Sequence, residues 1–339
     1  MNTAAGFLRN TWYMIAWSDE VGERPFSRTL LDTAVVLFRD AAAGRLVALR
    51  DRCPHRFAPL SLGQVIDGHL ECPYHGLQFD ATGRCVANPI TGATPAAAKV
   101  TAYPVHEVDG TVWLWPGDPA LADVSKVPRI AHHHAEAGQR WVKGLTTAKA
   151  DYRLLSDNLM DLSHTFVLHP GLGGRDYKPK VRTWEDAEGG IVAEFVVSPM
   201  PNFFGEEVIP APQVRHCDSI RWCAPSVHVL ESRTGLVDSE EAHVYIPSAH
   251  ILTPATATTT HYFWSSAVPE GFDEQMMRDT LVQAFDGEDK PMVEAVQRVM
   301  GDADLWDLDP VLLVSDAGGV RMRRRLAALI AAEQAAGTA

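Results

Sequence analysis

The stretch "DRCPHRFAPLSLGQVIDGHLECPYHG", residues 51–76, sets two cysteines and two histidines in mirrored order. Cys53-x-His55 is followed, sixteen residues later, by Cys72-x-x-His75. Thiolate sulfur together with imidazole nitrogen suits zinc, copper or an iron–sulfur centre. A structural zinc site is the main rival, because two Cys and two His are a zinc set. Zinc motifs, however, usually pair like with like, and here each half supplies one ligand of each kind. That order suits a two-iron centre with both thiolates on one iron and both imidazoles on the other. Pro54, Pro73 and Gly76 fit two tight loops closing over it.

Around this motif lies a chain of 339 residues, long enough for two domains, with 46% hydrophobic and 22% charged residues. No apolar run approaches the ~20 residues of a membrane span. The richest run, Leu30 to Phe38, has strand length and is interrupted by Asp32 and Thr33. The N-terminus lacks a basic region ahead of an apolar core, which argues against a signal peptide. A net charge of −13 argues against nucleic acid as a partner. Five cysteines do not read as a disulfide framework, so a reduced, cytoplasmic protein is expected.

Short apolar runs separated by turn residues make residues 7–118 an all-β domain, a small barrel or sandwich. Residues 119–135 read as a linker, and residues 136–339 as a larger α+β domain. In the second domain, "RTWEDAEGGIVAEFVV" reads as a hairpin and "THYFWSSAV" as a further strand. Asp273 to Met300 and Val320 to Ala336 are helical candidates, the first broken by Gly287 and Pro291.

A centre that stores one electron needs somewhere to send it, and "DNLMDLSHTFVLH", residues 157–169, is the prime candidate. Asn158, Asp161 and His164 step by three, which places them down one face of a helix. His169 comes five residues after His164, so the helix must loosen between them for the two rings to converge. Spacing alone leaves a metal site and ordinary core or surface histidines as open alternatives.

Here the chain resembles a known family, the Rieske non-heme iron oxygenases, whose [2Fe–2S] signature is Cys-x-His-x16-Cys-x2-His. Phe57, Ala58 and Tyr74 leave no place for the extra loop disulfide of cytochrome-complex Rieske proteins. The resemblance implies that Cys53, His55, Cys72 and His75 hold the cluster. It also implies a catalytic domain with an antiparallel sheet flanked by helices, in which His164 and His169 ligate a mononuclear Fe(II). Asp289, sharing a helical stripe with Phe285, Val282, Met292 and Val296, is the expected third ligand, with Glu288 as the alternative. Asp161 matches the family's bridging carboxylate, which joins a cluster histidine, here His75, to an iron-ligating histidine of a neighbouring subunit in a homotrimer. Asn158 and Asp161 are accordingly expected at the catalytic centre.

Several stretches, among them "NTWYMIAWSDEV" and "WLWPGDPALAD", look like the subgroup containing vanillate O-demethylase oxygenase and dicamba monooxygenase. Its members commonly hydroxylate a methyl group of an aromatic acid with O2, and O-demethylation to a phenol and formaldehyde is the expected reaction. C-methyl hydroxylation of a toluate or toluenesulfonate, ring hydroxylation, and electron transfer without catalysis are the alternatives. His250 and His228 are candidate substrate contacts. Thr280 replaces an aromatic residue of the dicamba enzyme. "GLGGRD" at 171–176 is no dinucleotide fingerprint, so electrons are expected from NAD(P)H through a separate reductase, directly or by way of a ferredoxin. Arg52, Arg56 and Arg84 are candidates for its dock. The run His132–His134 reads as a solvated loop, and Cys85, Cys217 and Cys223 as buried thiols.

Overall fold

The computed structural model describes residues 6–40, 43–134, 138, 140–169 and 177–337. Pro170, the "GLGGRD" stretch and the first five residues lie outside the described part. Two compact units divide at Arg129/Ile130, so the stretch expected as a linker is shared between them.

The first unit is built of short strands: β1 (Tyr13–Trp17), β2 (Phe26–Leu30), β3 (Thr33–Asp40), β4 (Arg45–Arg50), β5 (Gln64–Ile66), β6 (His69–Glu71), β7 (Gln78–Phe79), β8 (Cys85–Ala87), β9 (Val105–Val108) and β10 (Thr111–Leu114). They form three antiparallel sheets, β1-β10-β9, β2-β3-β4 and β5-β6-β7-β8. The apolar run Leu30–Phe38 is a hairpin and not one strand. Leu31 and Asp32 both take positive φ, +48° and +62°, the geometry whose twist matches a two-residue β-turn. One core cluster gathers Ile15, Leu37, Val112 and Leu114. A second gathers Phe38, Leu60, Leu70 and Phe79, and includes Cys53 and Cys72. The Trp12 indole donates to the Asp123 carbonyl at 2.9 Å, which ties the turns near residue 123 to this unit.

The second unit follows the order β11 (Trp141–Ala148), α1 (Tyr152–Met160), α2 (Thr165–Leu168), β12 (Lys180–Glu185), β13 (Ile191–Pro201), β14 (Gln213–Cys223), β15 (Val227–Leu236), β16 (Val244–Thr256), β17 (Thr259–Ala267), α3 (Glu274–Val282), α4 (Lys290–Met300) and α5 (Ala317–Gly337). One seven-stranded sheet, β11-β17-β16-β15-β14-β13-β12, carries helices beside it. It is an α+β architecture, as the sequence implied. No helix among the described residues is long and apolar enough to cross a membrane.

Two local expectations are corrected. Gly287 and Pro291 do not break the helix: a π-helical turn over Gln283–Asp289 joins α3 to α4. Its wider spacing gives the ring of Pro291 room that a regular α-turn withholds. The histidine run is not solvated either. His132 and His133 are buried, with both Nε2 atoms on Ser265 Oγ at 3.0 and 2.7 Å. His133 stacks on Trp141 at 4.0 Å, and burial pushes the His132 pKa down to about 4.

Helix α5 lies close to α1 because Gly318 and Gly319 lack side chains. A Cβ at Gly318 would meet the Met160 carbonyl at 3.1 Å, and one at Gly319 the Asp157 carboxylate at 3.2 Å. Arg323 then reaches Asp157 through Nε and a terminal nitrogen, at 2.6–2.9 Å. This partly buried, bidentate pair anchors the helix that carries Asn158.

Candidate metal centres and substrate cavity

Cys53 and Cys72 begin two loops of the same form. The Cys53 amide donates to the Ala58 carbonyl at 2.9 Å, and the Cys72 amide to the Leu77 carbonyl at 2.8 Å. Their own carbonyls accept from the amides four residues on, Phe57 and Gly76, both at 3.0 Å. Those fourth residues both have positive φ, +62° and +71°. At the second position a side chain is also excluded by space, since a Cβ would lie 2.7 Å from Pro89 Cγ. The cysteines point into the core, whereas His55 is exposed and His75 partly so. The two rings lie 4.5 Å apart. Burial pushes the Cys53 thiol up to about 11, and it hydrogen-bonds to Cys72. Thiolates in such a setting need a cation beside them. His75 Nδ1 is buried with no hydrogen-bond partner, a costly arrangement unless the atom is a ligand. Two sheltered sulfurs and two imidazoles fit a Rieske cluster.

The second centre starts where α1 stops. Asp161 leaves the helix with φ −123° and ψ 87°, and its Oδ1 accepts from the Ser163 amide at 2.9 Å. Asn158, Asp161 and His164 therefore do not share one helical face. The loosening expected between His164 and His169 comes earlier, at Asp161, because the carboxylate caps a new turn there. His164 ends that 3₁₀ turn, and His169 follows α2.

The π-turn brings the other carboxylates in. Asp289 Oδ1 lies 3.3 Å from His164 Nε2 and 3.4 Å from His169 Nε2. Donor atoms of these three residues all fall within 4.8 Å of one another. The far nitrogens are held: His164 Nδ1 by the Asp161 carbonyl at 2.5 Å, His169 Nδ1 by Glu288 Oε2 at 2.6 Å. Asn158 Nδ2 sits 3.3 Å from His164 Nε2 and 3.2 Å from Asp289 Oδ1. Two imidazoles and one carboxylate, oriented from behind, are the donor set of a non-heme iron with open positions.

A cavity of about 410 Å³ opens beside these donors, with His164, His169 and Asp289 in its wall. Helix α3 contributes Met276, Met277 and Thr280, and the π-turn contributes Phe285. The floor is the face of the sheet. Residues at alternate positions line it: His216 and Asp218 of β14, Leu230 and Ser232 of β15, Ile246, Ser248 and His250 of β16, and Ser266 of β17. His250 is fully engaged, with Nδ1 on the Tyr262 hydroxyl at 2.7 Å and Nε2 on Ser248 Oγ at 3.0 Å. Burial pushes its pKa down to about 4. His228 stands directly opposite His250 in the sheet but does not line this cavity. It is fully buried, and burial pushes its pKa down to about 3.

Sequence reasoning passed over His216, Asp218 and Ser232. His216 Nε2 lies 3.1 Å from Asp218 Oδ2 and its Nδ1 2.8 Å from Thr234 Oγ1, while Ser232 Oγ donates to Asp218 Oδ1. Burial works against charge on His216, but Asp218 outweighs it and the pKa is raised. Asp218 likewise overcomes its burial, through His216 and Ser232, and stays low. The available signal was His-x-Asp within one strand, two polar residues on the same face.

A second cavity, of about 320 Å³, flanks α1. Asn158 and His164 wall both cavities, and Asp161 lines the second. Its rim carries the exposed apolar side chains Met292, Trp306, Val311 and Leu312.

Residues 11–104 match the Rieske [2Fe-2S] domain, and residues 148–332 match the vanillate O-demethylase oxygenase C-terminal domain. The chain belongs to the Rieske non-heme iron oxygenases. It is 36% identical to the oxygenase component of dicamba O-demethylase from Stenotrophomonas maltophilia, over 94% of this chain and 97% of that one. It is also 36% identical to the oxygenase component of chloroacetanilide N-alkylformylase from Rhizorhabdus wittichii, covering 96% and 97%. The crystal structure of dicamba monooxygenase with non-heme iron and dicamba superposes with a TM-score of 0.80 at 36% identity, covering 98% of this chain and 99% of that one. This Rieske oxygenase is thus an enzyme with two iron centres, a [2Fe–2S] cluster and a mononuclear non-heme iron. As an oxygenase component it draws electrons from partner proteins and acts on an aromatic substrate.

Proposed function

We propose that the chain is the O2-dependent oxygenase of an O-demethylase system, releasing formaldehyde and a phenol from a methoxyaromatic. The observation that carries this reading is the convergence of His164, His169 and Asp289 at the wall of a largely apolar cavity. Cys53 and Cys72 would hold one iron of the cluster, His55 and His75 the other. When bound, the cluster and the mononuclear iron supply single electrons and the activation of O2 for attack on a methyl C–H.

The chain's own residues do the rest. Phe285, Met276 and Leu230 exclude water and press a ring against the wall that holds the ligands. Glu288 and the Asp161 carbonyl hold the two imidazoles with their Nε2 atoms inward. Hydroxylation of an O–CH3 carbon gives a hemiacetal, which collapses to phenol and formaldehyde. C-methyl hydroxylation remains the second reading, distinguished by a hydroxymethyl product without formaldehyde.

Electrons would arrive from NAD(P)H through a separate reductase, with or without a ferredoxin, near the exposed Arg52 and Arg56. Arg84 contributes less to such a dock, because it pairs with Asp80 at 3.7 Å. A homotrimer is the assembly we favour, with His75 of one chain facing Asp161 of the next. The exposed Phe57, Leu62 and Tyr74 beside the cluster loops support it, as do Val311 and Leu312 around the cavity that Asp161 lines.

Turnover of methoxyarenes with a surrogate reductase, read as formaldehyde and phenol by mass spectrometry, tests the reaction. Light scattering of the intact protein tests the trimer.

A further inference from the structure

The Asp, Glu, Lys and Arg side chains that line the main cavity are of one sign. Among the described residues, no Lys or Arg lines it, while Asp218 and Asp273 do; Asp289 belongs with His164 and His169 to the set that would hold the iron. The one cation of the covering helix, Arg278, does not line the cavity and donates to the Lys143 carbonyl. Four hydroxyl donors are spent as well, and Ser248 Oγ is paired with His250 Nε2. Thr165 donates to the Leu162 carbonyl, Ser266 to the Ala267 carbonyl, Thr280 to the Met276 carbonyl and Ser232 to Asp218. His216 uses both nitrogens, on Thr234 and Asp218. His250 uses both on Tyr262 and Ser248.

Acceptor capacity is left over. Each Asp218 oxygen has one partner in the wall, Ser232 or His216, and a carboxylate oxygen accepts two. The Asp218 side chain remains 15% accessible although it sits within the sheet face. A ligand carboxylate would be drawn to the iron that His164, His169 and Asp289 would hold, but against Asp218 it would meet no Lys or Arg and a second carboxylate, a like-charge juxtaposition. A ligand N–H or O–H would find an open lone pair on an ionised acceptor.

We infer that the substrate is an uncharged aromatic bearing an N–H or O–H donor, and that Asp218, set by His216 and Ser232, receives that donor. The inference rests on the reading of this cavity as the substrate site, and it narrows the substrate from aromatic acids in general. Asp218 is then the specificity determinant, on strands remote in sequence from the iron ligands.

The test compares isosteric pairs on the holoenzyme: 3- and 4-methoxybenzamide against 3- and 4-methoxybenzoate. Binding is measured by calorimetry, and turnover by formaldehyde release with a surrogate reductase. We expect the amides to bind at least about tenfold more tightly than the benzoates. The Asp218→Asn variant should shrink that ratio to near unity, since its amide donates to a carboxylate, whereas Ser232→Ala should keep the preference for the amides. Equal or tighter binding of the benzoates, or a ratio unmoved in Asp218→Asn, overturns the inference. Should Asp218→Asn fail to fold, the wild-type pair decides alone. Selective amide binding without formaldehyde would sink the O-demethylase reading and leave this one standing.

Discussion

Glu288 grips His169 from behind: its Oε2 lies 2.6 Å from Nδ1, while the adjacent Asp289 puts Oδ1 3.4 Å from Nε2 of the same ring. Two consecutive acids thus serve one imidazole from opposite sides, one orienting and one converging on the ligand atom. The two acids of the pair that sequence left open stand on different sides of the ring. Asp289→Asn should lower iron content to that of the cluster alone, with the cluster absorbance intact. Glu288→Gln should keep the iron but weaken its binding about 10- to 100-fold, read by chelator competition. Loss of iron only in the Glu288 variant would reverse the assignment.

Asp161 separates in the same way into backbone and side chain. Its carbonyl holds His164, while its carboxylate caps Ser163 and otherwise faces the second cavity. Asp161→Asn preserves the cap and the carbonyl. Both iron centres should load normally, with steady-state turnover falling about 10- to 100-fold. Unchanged turnover would leave the carboxylate a capping role only.

Gly76 holds the second cluster loop at φ +71° with Pro89 packed over it. Gly76→Ala adds a left-handed penalty of about 1–2 kcal/mol before any clash. Thermal bleaching of the visible cluster band should shift to lower temperature, and an unshifted curve would refute the loop's rigidity.

Acid should weaken the catalytic unit through histidines kept neutral. Burial holds His132 at about 4, His228 at about 3 and His250 at about 4, whereas unfolded histidine titrates near 6.5. Their folded pKa values are depressed, so the stability they contribute is complete above about pH 6.5 and is lost as pH falls toward 4. Near pH 5 the unfolded chain binds up to three more protons from this set, a slope of about 4 kcal/mol per pH unit. His216, raised by Asp218, works in the opposite sense and moderates it. Melting temperature against pH should fall steeply below 6, and His228→Leu should flatten the curve by about a third. A flat wild-type profile between pH 7 and 5 would contradict the neutral assignments.

The cluster loops were legible because their chemistry is local: four proposed ligands and two turn prolines within residues 51–76. The residues proposed to hold the iron could be picked out by kind, but their geometry could not. Spacing by three suggested a continuous helix where Asp161 in fact caps a fresh turn. The histidine run was misread because its burial depends on Ser265, more than a hundred positions away. His216 and Asp218 escaped for a related reason. A period-2 polar pair in a strand looks like a wet face until the neighbouring strands and α3 roof it over.

The same alternation separates two tasks that active sites usually entangle. Every donor proposed for the iron stands on the chain around α1, α2 and the π-turn, whereas the lining residues proposed to sort ligands by polarity alternate along β14, β15 and β16. The intervening positions of those strands point to the opposite face and do not line the cavity. Such a floor is a keyboard. Single changes at Asp218, Leu230, Ser232 or Ser248 can re-tune which molecule is held while the oxidising machinery beside it stays unaltered, so one inherited reaction can be carried to new substrates by small steps.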